Sequence, residues 1–229
     1  MNLEFDLILE SIPRMLTGIG VTLQLLVLAA VLGLVLGVIL LLMRISGRRY
    51  LSFPAFIYAY FFRGTPILVQ IFVIYHGFPQ FEFIRDSVFW VILREPFSCA
   101  TLALTLNSAA YVSEILRGGY LGVERGLHEA GMALGLKKHH RFFYVTTPIA
   151  IRLAIPAYSN EFISMLKATS LASTITLLDM TGVARTIVAQ TFAPYEIFIS
   201  TAVIYLVITT IFQRGFGMFE KRMSRYIRQ

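Results

Sequence analysis

The sequence has few charged side chains and one cysteine, Cys99, among 229 residues. A lone cysteine excludes a disulfide within the chain, and its apolar neighbours favour helix packing over a reactive or metal-binding role. Charged residues make up 14% of the chain and apolar residues 57%, whereas soluble domains average about 25% and about 45–50%. A soluble fold of this size cannot bury so much apolar surface, so part of that surface must face lipid.

The apolar residues form five stretches of membrane length, since a transmembrane helix needs about 20 residues. The predicted spans cover residues 18–43, 53–78, 97–116, 155–178 and 195–212. Residues 3–16 suggest a short interfacial helix before the first span, and their acidic side chains argue against a cleavable signal peptide. The connections leave no room for a soluble catalytic domain. We therefore expect an all-α integral membrane fold in one domain, residues 1–229.

The basic residues predict an orientation, because Lys and Arg in short loops stay on the cytoplasmic side. Most of them lie in three segments, residues 44–52, 117–147 and the tail from 214. These three segments lie on the same side of the membrane only if the chain has five spans. We therefore expect the N-terminus outside and the C-terminus inside. Because the basic segments adjoin spans, they do not indicate a nucleic-acid partner. The tail Lys221–Arg228 is expected to contact anionic lipid headgroups.

Polar side chains recur on one face of the third span and one face of the fourth. Insertion of a charged side chain at the centre of the membrane costs about 2.5–3.5 kcal/mol. The polar side chains are Asn107, Tyr111 and Glu114, then Asn160, Ser164 and Lys167, with Glu161 beside them. Two interpretations stay open. The carboxylates line a wet cavity that suits a cationic solute, or they only hold helices together, Glu161 with Lys167 and Glu114 with Arg63.

Two further patterns predict helix geometry inside the membrane. In Arg63-Gly64-Thr65-Pro66, proline removes a backbone donor and clashes with the preceding turn. Such a break either lines a cavity or is a simple packing kink. The third span carries small residues on its other face, which favour close helix packing: Ala100, Ala103, Ser108 and Ala110.

The polar segment between the third and fourth spans has a recognisable motif. A short helix is expected over residues 127–135, ended by Gly135, and the adjacent His139 and His140 lack the spacing of a metal-ligand pair. The motif reads Glu129-Ala130-Gly131-x3-Gly135-x9-Val145-x-Thr147-Pro148. It resembles the cytoplasmic loop of ABC importer permeases, Glu-Ala-Ala-x3-Gly-x9-Ile-x-Leu-Pro, with substitutions at Gly131, Val145 and Thr147.

Other stretches extend this resemblance over nearly the whole chain. They are similar to the polar amino acid permeases, most of all to the M-type subunit of histidine, arginine/ornithine and opine importers. The matching stretches are Phe62-Arg63-Gly64-Thr65-Pro66-x-Leu68-Val69-Gln70, Asn107-Ser108-Ala109-Ala110-Tyr111-x-x-Glu114-Ile115, Pro156-x-Tyr158-Ser159-Asn160-Glu161 and Thr169-Ser170-Leu171-Ala172-Ser173.

The resemblance implies a type I importer in a bacterial inner membrane. Its parts are this chain, a homologous Q-type permease, two cytoplasmic ATPase subunits and a periplasmic substrate-binding protein. The sequence contains no Gly-x4-Gly-Lys-Ser/Thr phosphate loop, so ATP and Mg²⁺ are expected on the ATPase, while this chain is a non-catalytic permease without cofactor or metal. The residues expected to couple to the ATPase are Glu129, Ala130, Gly131, Gly135 and Arg141.

The resemblance and the polar faces together predict a site for a basic amino acid or an opine. The expected solute contacts are Asn107, Tyr111, Glu114, Asn160 and Glu161, with Thr65 and Ser164 as further candidates. An ATP-independent transporter or channel is the alternative function. A membrane-embedded enzyme would need a catalytic cluster in one cavity, and the four histidines lie in loops or at span ends.

Overall fold

The computed structural model describes residues 5–224, which form helices joined by short connections. In chain order they are α1 (Phe5–Thr17), α2 (Ile19–Ile45), α3 (Arg49–Gly64), α4 (Ile67–Phe72), α5 (Glu82–Arg85), α6 (Trp90–Leu93), α7 (Pro96–Leu121), α8 (Arg125–Ala133), α9 (Lys138–His140), α10 (Thr147–Ala168), α11 (Met180–Thr191) and α12 (Pro194–Ser224). Short π and 3-10 turns extend α4 to Gln80, join α9 to α10, and extend α10 to Ile175. No strand occurs within these residues, and the predicted all-α class is confirmed.

Three helical segments are long and apolar enough to cross a membrane: Asp6–Ile45, Pro96–Leu121 and Pro194–Met223. Two bent pairs also qualify, Arg49–Gly64 with Ile67–Gln80 at 103° and Lys138–Ile175 with Met180–Thr191 at 48°, which makes five if each pair is one span. Each predicted span coincides with one of these segments or pairs.

The fourth predicted span, residues 155–178, has different limits in the structure. Its α-helix begins at Thr147, directly after the π turn Arg141–Thr146, and carries Pro148 in its first turn. The α-helix ends at Ala168 and continues as a 3-10 helix, Thr169–Ile175. The hydroxyl groups of Thr169 and Ser173 donate to the carbonyl groups of Leu166 and Ser170. Such local bonds compete with the regular helical pattern.

A seam of small residues joins α2 to α7. A Cβ atom added to Gly33 would lie 2.9 Å from Ser108 Oγ, and one added to Gly37 would lie 2.7 Å from Val112 Cγ1. The small residues predicted to pack closely are buried: Ala100, Ala103, Ser108 and Ala110. The opposite face of α2 exposes apolar side chains, including Val31 at 55%. This face is suited to lipid.

The helix directions bring the basic segments together. In the seam, Gly33 lies against Ser108 and Gly37 lies against Val112. The residue numbers rise together along α2 and α7, so these helices run parallel. Gly119, near the end of α7, packs against Ala150, near the start of α10, and Ser159 of α10 donates to Glu220, near the end of α12, at 2.8 Å. Hence α10 runs opposite to both neighbours. We use the term basic end for the end of the bundle that carries residues 44–52, 117–147 and the described part of the tail; Arg225 and Arg228 lie outside the described residues.

The first helix packs against the far part of the bundle. The predicted helix over residues 3–16 is confirmed from Phe5 onward, and residues 3 and 4 lie outside the described part. Arg14 donates to Gln190 of α11 at 2.6 Å, and the buried Met15 contacts Thr201 of α12. The contacts hold α1 against α11 and α12.

The approach of α7 to α10 generates a paired prediction. A Cβ atom at Gly119 would collide with the carbonyl oxygen of Ala150, whereas one at Gly118 meets nothing within 4 Å. Gly119→Ala should therefore destabilise the protein by about 1–3 kcal/mol through overpacking. Gly118→Ala should be neutral or slightly stabilising. Thermal melting of the detergent-solubilised protein tests this, and a Gly119→Ala melting temperature at or above wild type would contradict it.

Candidate functional site

The second span is broken where the sequence predicts a break. The α3 helix ends at Gly64, Thr65 and Pro66 are extended, and α4 begins at Ile67. The side-chain amide nitrogen of Gln70 lies 2.9 Å from Phe62 O, 3.1 Å from Thr65 O and 2.8 Å from Thr65 Oγ1. The amide group thus satisfies carbonyl groups that the missing helical turn leaves free.

A residue from α7 completes this arrangement. The side-chain nitrogen of Asn107 donates to Phe62 O at 3.0 Å and to Gln70 Oε1 at 3.1 Å. Gln70 is 6% exposed, so its polar atoms are satisfied by protein partners. The matching stretch 62–70 contains Gln70, but its pattern does not predict this role. A glutamine four residues after a proline inside a span was the available signal.

A cavity of about 290 Å³ lies beside the break, between α7 and α10. Its lining residues are Ile67, Leu104, Asn107, Ser108, Tyr111, Glu161, Ser164, Met165 and Ala168. Four predicted solute contacts therefore meet: Asn107, Tyr111, Glu161 and Ser164. The guanidinium of Arg63 lies 5.3 Å from the centre of the Tyr111 ring.

The Glu161 carboxylate is the charged group of this cavity. The proposed pair with Lys167 does not form, and Lys167 is exposed. Arg63 acts on Glu161 electrostatically, but no ion pair within 4.0 Å involves Glu161 among residues 5–224. A half-buried carboxylate without a bonded cation favours binding of a positively charged group.

The structure places Glu114, one of the predicted solute contacts, outside the lining of this cavity. Its Oε1 lies 3.3 Å from Arg44 Nε and its Oε2 lies 2.7 Å from Arg117 Nη2. The alternative pair with Arg63 is also wrong. Glu114 shares a helical face with Asn107, but it lies about 10 Å further along the axis, where α2 supplies Arg44.

Asn160 and Thr65 are also outside the cavity lining. Asn160 lines a separate cavity of about 230 Å³ between α10 and α12, together with Ser159, Gln213 and Glu220. Successive residues on a helix point about 100° apart, which separates Asn160 from Glu161. The Thr65 hydroxyl donates to Phe61 O at 2.9 Å and accepts from Gln70, so it belongs to the break.

One face of α10 exposes polar side chains along a membrane span. Asn160, Ser164 and Lys167 are exposed at i, i+4 and i+7, which confirms that they share a face. Ser164 also lines the 290 Å³ cavity, so the cavity opens toward this face. Lipid does not suit an exposed lysine at such a position. The face requires protein or water.

The predicted loop helix is confirmed as α8, Arg125–Ala133. Gly135 ends it with φ +71°, a left-handed conformation that glycine adopts without steric cost. Gly131 is buried, and a Cβ atom there would lie 3.1 Å from Arg141 Cδ. Glu129 and Ala130 are exposed, as are the apolar side chains Leu127, Met132 and Leu134. With Arg125 also exposed, the helix presents a mixed apolar and charged surface at the basic end.

Residues 31–225 match the family model described as the binding-protein-dependent transport system inner membrane component. The chain belongs to this family. It is 45% identical over 213 residues to the nopaline transport system permease protein NocM of Agrobacterium fabrum, covering 93% of this chain and 88% of that protein. It is 39% identical to the histidine/lysine/arginine/ornithine transport system permease protein HisM of Escherichia coli, covering 93% and 90%.

A solved structure supports the same assignment of fold. The crystal structure of an amino acid ABC transporter with histidines matches with a TM-score of 0.87 and 35% identity, covering 97% of this chain and 100% of that one. This permease chain therefore has the type I ABC importer permease fold.

The hydrogen bonds at the break generate a second prediction. Gln70→Leu keeps a similar volume but leaves Thr65 O without its side-chain donor, removes one of the two donors to Phe62 O, and takes away the Gln70 acceptor of Asn107. We expect a loss of about 1–3 kcal/mol in the free energy of unfolding, measured by detergent-induced denaturation. Gln24→Leu is the matched control, because Gln24 is exposed on α2, and it should leave the midpoint unchanged. Equal midpoints for Gln70→Leu and wild type would contradict the proposed role.

Proposed function

We propose that this permease is the translocation subunit of an ATP-driven importer for a basic amino acid or an opine, in a bacterial inner membrane. The observation that carries this proposal is the carboxylate of Glu161, which forms no ion pair with any residue of the range 5–224 and lies in a cavity that opens on the polar face of α10. The substrates named for the relatives, nopaline and histidine/lysine/arginine/ornithine, support the same class of solute.

The cavity chemistry suits one small cationic solute. Its volume of about 290 Å³ is at the lower end for ligand pockets, which favours a single amino acid over a peptide. In our proposal Glu161 binds the solute's ammonium or cationic side chain, and Asn107, Tyr111 and Ser164 orient it. Asn107 also anchors the broken helix, so solute binding and the break share a residue.

The exposed face of α10 supports a second permease subunit as partner. A face with Lys167 exposed along a membrane span needs a protein or aqueous neighbour. Because the cavity opens on this face, the solute path would run between two permease subunits. We propose a homologous Q-type subunit in this position, with the substrate-binding protein delivering solute at the end opposite the basic end.

The basic end is proposed to face the cytoplasm, with the N-terminus outside. Residues 1–229 are proposed to act as one permease domain. The loop residues 117–147, with α8 at their centre, would dock on an ATPase subunit through Glu129, Ala130 and the exposed apolar side chains. The buried contact of Gly131 with Arg141 and the turn at Gly135 would hold α8 rigid. ATP and Mg²⁺ would bind the ATPase, whose closure would move α8 and the spans between outward- and inward-open states.

Reconstitution in liposomes tests this function. The chain would be assembled with the neighbouring permease, ATPase and binding-protein genes, and uptake of radiolabelled arginine, histidine, lysine, ornithine, octopine and glutamine would be measured. We expect uptake that requires both ATP and the binding protein, with a cationic or opine label preferred. A Gly131→Leu variant is the uncoupled control, because its side chain does not fit against Arg141; it should insert normally and lose ATP-driven uptake.

Two outcomes would overturn the proposal. Uptake by this chain alone without ATP would favour the alternative of an ATP-independent transporter or channel. Preference for glutamine over every cationic label and octopine would leave the importer function in place but refute the proposed class of solute.

The role of Glu161 has its own prediction. Glu161→Gln removes the charge while keeping the shape, and we expect the KM for a cationic solute to rise about 10- to 100-fold, as loss of a hydrogen bond to a charged group implies. Assembly and the amount of inserted protein should be unchanged. Gln213→Ser is the control, because Gln213 belongs to α12 and lines the other cavity. Unaltered uptake kinetics for Glu161→Gln would remove Glu161 from the solute site.

A further inference from the structure

An open groove lies at the basic end, between the end of α2 and the start of α3. Its volume is about 700 Å³, and its lining residues are Arg44, Arg49, Tyr50, Ser52, Phe53, Pro54 and Phe56. The solute cavity has no residue in common with this groove. The groove is therefore separate from the solute cavity.

Positive charge dominates one wall of the groove. Arg44 is held by Glu114 at 3.3 Å, but the same carboxylate also pairs with Arg117 at 2.7 Å, so one negative charge is shared by two guanidinium groups. Arg48 and Arg49 are exposed, and residues 44–60 contain no aspartate or glutamate. The wall thus carries an excess of positive charge and attracts an anion.

The other wall is apolar and belongs to a membrane-spanning helix. Tyr50, Phe53 and Phe56 have exposed fractions of 67%, 63% and 45%. The guanidinium of Arg44 lies 5.1 Å from the centre of the Phe56 ring, at the boundary between the two walls. A free inorganic anion would leave this aromatic surface uncovered, whereas an amphipathic anion would cover both walls.

We propose that this groove binds an anionic phospholipid of the leaflet at the basic end. The phosphate would lie beside Arg49 and the Ser52 hydroxyl, and an acyl chain would follow Phe53 and Phe56 along α3. Arg48 adds positive charge at the edge of the groove, where its guanidinium donates to the hydroxyl of the lining residue Tyr50 at 3.0 Å. Basic pockets between transmembrane helices bind anionic headgroups for the same physical reason. The network of Arg44, Glu114 and Arg117 supplies a fixed positive wall. The conformational entropy lost on lipid binding therefore comes mainly from the exposed side chains of Arg48 and Arg49.

Native mass spectrometry tests the proposal directly. The full-length chain, with the subunits that co-purify with it, is mixed in mild detergent with equal amounts of phosphatidylglycerol and phosphatidylcholine. Wild type should retain phosphatidylglycerol in preference. The Arg48→Gln/Arg49→Gln variant should lose affinity for phosphatidylglycerol by about fivefold for each arginine removed. Phe53→Ala should also lower retention, although it changes no charge.

A matched control distinguishes lipid binding in this groove from nonspecific attraction of lipid to the other basic residues of the basic end. Lys138→Gln/Arg214→Gln removes two exposed basic side chains of the basic end that lie outside the groove and outside the tail Lys221–Arg228, and it should retain phosphatidylglycerol as wild type does. Equal retention of the two lipids by wild type would overturn the proposal, whether or not the variants fold. Equal loss in both double variants, or full displacement of the lipid by millimolar inorganic phosphate, would also overturn it. Lipid retention is measured without transport, so failure of the lipid proposal would leave the proposed importer function unaffected.

Discussion

A broken helix inside a bilayer leaves backbone carbonyl groups without partners, because lipid offers no hydrogen-bond donors. Pro66 creates such a break in the second span, and Gln70 and Asn107 supply donors to Phe62 O. The rest of the site depends on this arrangement. Since Asn107 is anchored to the break from one side and lines the cavity on the other, the bend of the second span sets the shape of the space beside Glu161.

The three polar residues of the α7 face have different partners although they follow one periodic pattern. Asn107 bonds the break, Tyr111 lies under the Arg63 guanidinium, and Glu114 is shared by Arg44 and Arg117. Glu161, on α10, lacks an ion pair within the described part of the chain. Unpaired charge is costly in a membrane, and a residue that keeps it is suited to binding a charged solute. Electrostatic satisfaction thus distinguishes the paired carboxylate of Glu114 from that of Glu161, the residue we propose as a solute ligand.

The exposed surfaces of the chain indicate different neighbours. The outer face of α2 is apolar and suits lipid, the α10 face with Lys167 needs protein or water, and α8 projects a mixed surface at the basic end. The groove beside α3 adds a basic wall next to aromatic side chains. A single chain leaves most of these surfaces uncovered, which agrees with the proposed function as one subunit of a larger membrane complex.

The sequence by itself determined the membrane class, the locations of the apolar segments, the break at Pro66 and the loop helix ended by Gly135. These features depend on local hydropathy, on the missing N–H of proline and on glycine's backbone freedom, all of which act over a few residues. The small-residue face of α7 was predictable for the same reason.

Only the tertiary structure decided which polar residues meet. Periodicity shows that Asn107 and Glu114 share a face of α7, but it does not show that α2 brings Arg44 to Glu114 or that Gln70 reaches Asn107 from beyond a bend. Nor does it show that Asn160 and Glu161, adjacent in the chain, line different cavities. The physical reason is that a helical repeat fixes the direction of a side chain from its own axis, whereas its partner depends on the packing of another helix.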